Sequence, residues 1–227
     1  MPSRLLQAAR RMWRSVGLAG FLGMAVVAPG IAGEMEFRLA PFGDQMACGR
    51  HCPEVIGATG EIMASTPQKF FEFVKRNIDD PRLRSIVLIH SPGGSVVASM
   101  QLGEMFRKTG VAVVVAHASM DGVLTGSCYS ACVYAFLGGV KRVAPPGSRI
   151  GIHRMSFEEY ERDLNTLEVK SQARFSTPEM VARLSGYAAS MGVSRDLIAQ
   201  AERISPSEIH IITPNELRKW RLGVDKF

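Results

Sequence analysis

The stretch SIVLIHSPGGS, from Ser85 to Ser95, decides the fold. Its first six residues form a near-continuous apolar run, which is typical of a β-strand covered on both faces. Gly93 and Gly94 then turn the chain. The serine that follows them is a good N-cap for a helix that ends at Gly110. A strand that leads directly into a helix predicts a strand–helix–strand unit with parallel strands.

The same alternation continues on both sides of this stretch. Before it, Phe70, Phe71, Val74 and Ile78 make the buried stripe expected for one helix. Strict alternation of strands and helices predicts an α/β fold with a largely parallel sheet. The elements expected around the stretch are a strand at Glu54–Ile62, a helix at Gln68–Ile78, a strand at Val111–Ala116, a helix at about Ser130–Leu137 and short strands at Val140–Val143 and Arg149–His153.

The chain changes character after residue 156. A polar stretch beginning at Glu158 is rich in charged residues and predicts a helix. Pro178–Met191 and Ser194–Ile204 have the pattern of two more amphipathic helices. We therefore expect a C-terminal helical arm after the α/β core.

The first 32 residues have the layout of an export signal. Four arginines and no acid precede an apolar run over residues 16–32, which ends in the small residues Gly30 and Ala32. This pattern predicts export to the periplasm or cell envelope, with cleavage after Ala32. The alternative is an uncleaved anchor that associates with the membrane through residues 16–32.

Composition and charge limit the remaining chain. With 227 residues, 46% of them apolar, the chain suits one ordinary core, which we assign to residues 54–227 after a cysteine-containing segment at 33–53. The leader holds four of the 27 basic residues and none of the 21 acids. The net charge of +6 thus falls to +2 without it, so the composition gives no reason to expect nucleic-acid binding.

Four cysteines occur as two pairs with the same spacing, Cys48 with Cys52 and Cys128 with Cys132. In an exported protein disulfides persist, and we expect Cys48 to bond Cys52 because a short polar loop can adjust its geometry. Zinc on this pair and His51 is the alternative, but no fourth ligand follows at a suitable spacing, and no metal is expected. Cys128 and Cys132 are able to bond only if the turn before Ser130 is not helical; the alternative is that they are small buried packing residues.

Three segments carry residues with chemical potential, and each has an ordinary structural explanation. The paired glycines of HSPGGS suit an oxyanion hole or a phosphate cradle, or simply a tight turn. In GSCYSAC, Ser130 is expected at the start of a helix, either as a nucleophile or as an N-cap. In GSRIGIH, His153 ends a short strand, as a catalytic base or as a structural histidine.

Together the segments, in the order SPGG, GxxxS and SRxxxH, resemble the Clp protease proteolytic subunit family. The resemblance spans roughly residues 54–227 and implies the fold shared with crotonases, a spiral of ββα units. It implies Ser130 as nucleophile and His153 as base. It also implies that Gly94 and Ala131 donate the backbone N–H groups of the oxyanion hole.

The third member of the family's triad, an aspartate before the last helix, is missing. The matching stretch SEIHIITPNEL has Ile209 at that place, with Glu208 beside it. Glu208 is the candidate that orients His153; a serine–histidine pair alone, or a backbone carbonyl in place of the acid, remains open. Lys141 is the nearest lysine for the serine–lysine variant of the site.

With the export signal, the resemblance implies an exported serine hydrolase that cuts peptides or proteins without ATP and without a cofactor. The resemblance also implies assembly into a homo-oligomer. The missing acid supports a different class, a catalytically silent binding or assembly module. A crotonase-type enzyme acting on coenzyme A thioesters is a third possibility, which export disfavours.

Overall fold

A computed structural model of the chain describes residues 33–43, 48–119, 122–162 and 169–226. The predicted leader, including its apolar run at residues 16–32, lies outside them. No helix within the described ranges combines the length and the apolar character needed to cross a membrane.

The strands form a central sheet, a small second sheet and a separate hairpin. In chain order they are β1 (Glu36–Pro41), β2 (Glu54–Thr59), β3 (Leu83–His90), β4 (Ala112–Ser119), β5 (Gly122–Thr125), β6 (Ser127–Tyr129), β7 (Arg142–Val143), β8 (Arg149–Ile152), β9 (Ser156–Arg162), β10 (Val169–Phe175) and β11 (His210–Ile211). The central sheet has the order β1-β2-β3-β4-β5, and β7 also pairs with β4. Its β2–β3, β3–β4 and β4–β7 pairs are parallel, which confirms the predicted α/β architecture.

Helices directly follow the parallel strands β2, β3 and β6. They are α1 (Thr66–Asn77), α2 (Val96–Thr109), α3 (Cys132–Leu137), α4 (Pro178–Ser190), α5 (Asp196–Ala201) and α6 (Pro214–Lys219). The main core lies between these helices and the central sheet, and Phe70, Phe106 and Phe136 are fully buried in it. Leu88 and Val114, on the opposite face of the sheet, belong to a second and smaller cluster.

The buried face of α1 is not made of the residues that the sequence predicted. Phe70 and Phe73 are buried, whereas Phe71 is 50% exposed and Ile78 is 65% exposed. Phe70 and Phe73 are three positions apart and so lie on the same side of a helix. The predicted stripe was wrong in including Phe71 and Ile78.

The second sheet has the order β11-β8-β6 and positions the candidate site. β6 and β8 are parallel, with Tyr129 opposite Gly151. β11 runs antiparallel to β8 on its other side, with His210 opposite Ile152. An isolated bridge between Ser91 and Cys128 joins this sheet to the end of β3.

The polar stretch from Glu158 is not a helix. It lies in β9, which forms an antiparallel hairpin with β10. The cross-strand ion pair between Arg174 and Glu159, with N–O distance 2.6 Å, stabilises the hairpin. The prediction was wrong because helix propensity is a weak preference that pairing with β10 overrides. The two helices predicted after it are confirmed as α4 and α5, the latter shorter than expected.

Candidate active site

Ser130 lies at a sharp turn between β6 and α3. Its φ of 54° is one of two positive values among the described non-glycine residues, and such a conformation costs roughly 1–2 kcal/mol. Two hydrogen bonds hold the turn: the Ser130 N–H donates to the Gly151 carbonyl at 2.9 Å, and its carbonyl accepts from the Val133 N–H at 3.1 Å. A strand–turn–helix of this kind presents a serine hydroxyl clear of the backbone.

The expected helix start at Ser130 was therefore wrong. Helix α3 begins at Cys132, and its N-cap residue is Ala131, which makes no side-chain cap. Ser130 precedes the N-cap residue and does not itself cap the helix. Its hydroxyl makes no hydrogen bond with any described residue.

The loop of Gly93 and Gly94 packs directly against this turn. A Cβ atom at Gly93 would lie 2.9 Å from the Ser130 Cβ and 3.2 Å from the Ala131 nitrogen. A Cβ at Gly94 would lie 2.2 Å from the Ile62 carbonyl oxygen. With φ values of 117° and 127°, both positions require glycine for conformation and for space.

Two backbone N–H groups near Ser130 are free to bind an acceptor. Within the described part of the chain, the N–H groups of Gly94 and Ala131 have no hydrogen-bond partner. Their neighbours are paired: the Gly93 N–H donates to the Ser91 hydroxyl at 3.1 Å, and the Ser95 N–H donates to the Ile62 carbonyl at 2.7 Å. Two unpaired donors on facing segments are what an oxyanion requires.

His153 follows β8, beside Ser130. Because β6 and β8 are parallel and in register, their carboxyl ends bring the two residues to one edge. Nδ1 of His153 lies 2.9 Å from the Arg154 carbonyl oxygen, which only accepts hydrogen bonds. The proton is thus on Nδ1, and Nε2 is left as the basic nitrogen of the neutral ring.

The Arg154 backbone that orients His153 is itself fixed. Its N–H donates to the Ile204 carbonyl at 3.0 Å. Its guanidinium lies over the ring of Phe175, 4.0 Å from the ring centroid, at the end of the β9–β10 hairpin. Both the backbone and the side chain of Arg154 are therefore held in place by other parts of the chain.

Ser130 and His153 line the same narrow pocket, of about 20 Å³, without a hydrogen bond between hydroxyl and imidazole. Most of the pocket wall is apolar, which favours burial of a small apolar group beside the hydroxyl. The other lining residues are Val96, Ala131, Val133, Tyr134, Ile152, Met155, Leu197, Ile198 and Ala201.

Glu208 lies outside this arrangement. Its side chain is exposed and makes no hydrogen bond with a described residue, and its N–H donates to the Ser205 carbonyl. Ile209, the neighbour at the place of the family's aspartate, packs over Gly151. Lys141 precedes β7 and is not among the residues of the pocket. The one partner of the His153 ring in the described chain is the Arg154 carbonyl.

Both cysteine pairs are disulfide-bonded, Cys48 with Cys52 and Cys128 with Cys132. The second bond is possible because residues 128–132 are not helical: β6 ends at Tyr129, and Ser130 is left-handed. Its sulfurs bracket the nucleophile candidate. In the first pair both sulfurs are taken up by the bond, so they are not thiolate ligands.

A second serine–histidine contact was not anticipated from the sequence. Nδ1 of His90 accepts from the Ser127 N–H at 3.0 Å and lies 3.2 Å from the Ser127 hydroxyl. The ring of His117 lies 5.1 Å away, and burial, followed by that neighbour, lowers the pKa of His90. The histidine at the end of the SIVLIH strand was the available signal, but the pairing of β3 with the segment before Ser130 is non-local.

The alternating α/β architecture, the double-glycine loop and the serine turn define a protein with the fold of the Clp protease proteolytic subunits. Among solved structures, a mutant of the 1510-N membrane-bound stomatin-specific protease is similar, at 19% identity and a TM-score of 0.50 over 74% of this chain and 75% of that one. A mutant of ClpP1 from Listeria monocytogenes matches at 19% identity and a TM-score of 0.45, over 74% of this chain and 85% of that one. No family model matches the chain, and no curated protein does.

Proposed function

We propose that this protein is a serine hydrolase that cleaves peptide bonds, with Ser130 as nucleophile and His153 as base. The observation that carries the proposal is that Ser130 and His153 share one pocket with Ala131, whose N–H is unpaired, while the unpaired Gly94 N–H belongs to the loop that packs on Ser130 through Gly93. A hydroxyl, a base and two donors are the parts that acyl transfer needs.

Each of these groups has one role in the proposed reaction. Nε2 of His153 takes the Ser130 proton as the oxygen attacks the scissile carbonyl, and the new oxyanion accepts from Gly94 and Ala131. The imidazolium then protonates the leaving amine, and water hydrolyses the acyl-enzyme by the same route in reverse. The proposal does not require a hydrogen bond between Ser130 and His153 before substrate binds, since such bonds often tighten only in the complex with substrate.

The orienting group in this proposal is the Arg154 carbonyl. It keeps the proton on Nδ1, so Nε2 is available as the base, but it carries no negative charge to stabilise the imidazolium. We therefore propose a dyad with a carbonyl in place of the acid, and Glu208 has no part in it.

A fluorophosphonate probe tests the proposal because it reports an activated serine without a known substrate. Purified wild-type protein should be labelled, and mass spectrometry of the labelled peptide should assign the adduct to Ser130. Ser130→Ala should abolish labelling, whereas Ser127→Ala is the matched control three residues away and should retain it. His153→Ala should lose most labelling.

Glu208→Ala separates the two versions of the site. Unchanged labelling agrees with the carbonyl-oriented dyad, and a loss as large as that of His153→Ala would make Glu208 the orienter. An adduct on Ser127 would instead make Ser127 the nucleophile, with His90 as its base.

The second candidate is a catalytically silent binding module of the same fold. The observation that favours it is the absence of a carboxylate on His153 together with the unbonded Ser130 hydroxyl in the described chain. A wild-type protein that resists the probe while binding a partner tightly would replace the hydrolase with this function.

We further propose that the protein is exported to the periplasm and acts there on peptides or proteins as a homo-oligomer. Two disulfides support an oxidising compartment. A reporter fused to residues 1–35 should cross the inner membrane, and a reporter left in the cytoplasm would contradict export. N-terminal sequencing of the protein from the envelope should begin at Gly33, and sedimentation measures the assembly.

A further inference from the structure

The disulfide between Cys128 and Cys132 encloses the candidate nucleophile. Cys128 is the middle residue of β6, Cys132 is the first residue of α3, and their Cα atoms are 5.3 Å apart. Both cysteines are fully buried. The bond thus closes a short loop whose central residue is Ser130.

The bond joins residues on either side of the turn at Ser130. On a regular helix, residues four apart have Cβ atoms about 5–6 Å apart, but a disulfide needs about 3.8 Å. The loop is therefore not a helix: Cys128 and Tyr129 lie in β6, and Ser130, with φ of 54°, turns the chain toward α3. A large rotation at this central residue would change the distance between the two ends of the loop, and the bond holds the Cα atoms of those ends 5.3 Å apart.

A competing conformation is available when the bond is absent. Ala131 already has helical angles, with φ of −57° and ψ of −27°. A change of Ser130 from the left-handed to the right-handed helical region would add it to the N-terminus of α3 and relieve its backbone strain. The same rotation would redirect both the hydroxyl and the Ala131 N–H.

We infer that Cys128 and Cys132 are positioning residues, whose bond holds Ser130 in its left-handed conformation and so keeps the hydroxyl and the Ala131 N–H directed at the pocket. The part of this inference that concerns activity rests on the proposed hydrolase function. The part that concerns the backbone of Ser130 does not.

The test compares the wild type with two double variants, each of which lacks one disulfide. Cys128→Ala/Cys132→Ala removes the bond at the site. Cys48→Ala/Cys52→Ala is the matched control because its bond also joins residues four apart in sequence. The φ of Ser130 is read from NMR couplings, and fluorophosphonate labelling is separated into probe affinity and maximal labelling rate.

The site variant should lose the left-handed φ of Ser130 and label with a maximal rate about tenfold lower, equivalent to about 1.4 kcal/mol, at unchanged probe affinity. The control variant should match the wild type in both readouts. Val143→Ala, a buried change in the second cluster, should lower the melting temperature without changing the labelling rate, which separates positioning from stability.

The outcomes distinguish this inference from the proposed function. A site variant that keeps both the left-handed φ and the wild-type rate overturns the inference and leaves the hydrolase standing. A wild type that is never labelled refutes the hydrolase, and the comparison of φ still decides the inference. If the site variant does not fold, the wild type reduced with a water-soluble phosphine, with its thiols counted by mass, takes its place in the same measurements.

Discussion

Gly93→Ala is the sharpest test of how the glycine loop supports the serine turn. The new Cβ would lie 2.9 Å from the Ser130 Cβ and 2.9 Å from the Tyr129 carbonyl oxygen. Neither neighbour is the end of a flexible side chain, so the turn itself has to shift. The φ of 117° at this position adds backbone strain for any residue with a side chain.

The expected loss of stability is the sum of these two effects. An L-residue in a left-handed conformation costs about 1–2 kcal/mol. A methyl group forced into packed space costs about 1–3 kcal/mol. Gly93→Ala should therefore lower the free energy of unfolding by about 2–5 kcal/mol. At about 2–4 °C per kcal/mol for a chain of this size, the melting temperature should fall by roughly 4–20 °C.

Gly192→Ala is the matched control, since its φ of 76° gives strain while its Cβ would meet nothing within 4 Å. Urea denaturation should show a loss of about 1–2 kcal/mol for the control and a larger one for Gly93→Ala. A nucleophile displaced by about 1 Å should also label about a hundredfold more slowly. If the two variants are equally stable and both label at the wild-type rate, the contact between the glycine loop and the serine turn does not exist as described.

Three further predictions concern parts of the fold around the site. Arg142→Met should lower the free energy of unfolding by about 2–6 kcal/mol in urea denaturation, because the buried Gly139 and Leu222 carbonyls lose their guanidinium donor; a loss below about 1 kcal/mol would contradict the role of these bonds. Cys48→Ala/Cys52→Ala should lower the free energy of unfolding by about 2 kcal/mol, because the bond closes a loop of about five residues. A melting curve identical to that of the wild type would refute this. Burial, followed by His117, lowers the pKa of His90 from its usual 6.5, so the unfolded chain binds the proton first and stability falls as the pH drops below about 6.5. His90→Asn should lose less stability between about pH 7 and pH 5 in urea titrations, and an equal loss would exclude His90 as the titrating group.

The central strands and the helix after them were predictable because their signals are local. In SIVLIHSPGGS the apolar run, the glycine pair and the cap serine each indicate the same strand–turn–helix. The structure confirms the cap, since the Ser95 hydroxyl accepts from the Ala98 N–H at 3.3 Å, and it confirms the helix end, since Gly110 has φ of 69°. Agreement between propensity, turn chemistry and burial is what makes such a segment predictable.

The hairpin and the serine turn were not predictable by the same means. The charged residues of β9 favour a helix locally, and only pairing with β10 makes them a strand. The left-handed φ of Ser130 leaves no periodic trace in a sequence. The spacing of Cys128 and Cys132 was the indirect signal, since a bond between them requires a non-helical loop.

The group that orients His153 could not be predicted from the sequence. A carboxylate belongs to aspartate or glutamate, so a sequence motif can locate it. Because the sequence has Ile209 in place of the aspartate, Glu208 beside it became the candidate. The group that contacts Nδ1 is a backbone carbonyl, which every residue carries, so no pattern of residue types predicts it. The two kinds of orienter also differ in chemistry, because a carbonyl fixes the tautomer while a carboxylate adds charge stabilisation of the imidazolium. Under the proposed function, the cost of this exchange falls on proton transfer rather than on binding. Replacing Glu208 should therefore leave both the labelling rate and the probe affinity unchanged. A change that moves the Arg154 carbonyl away from Nδ1 of His153 should instead slow labelling at constant probe affinity.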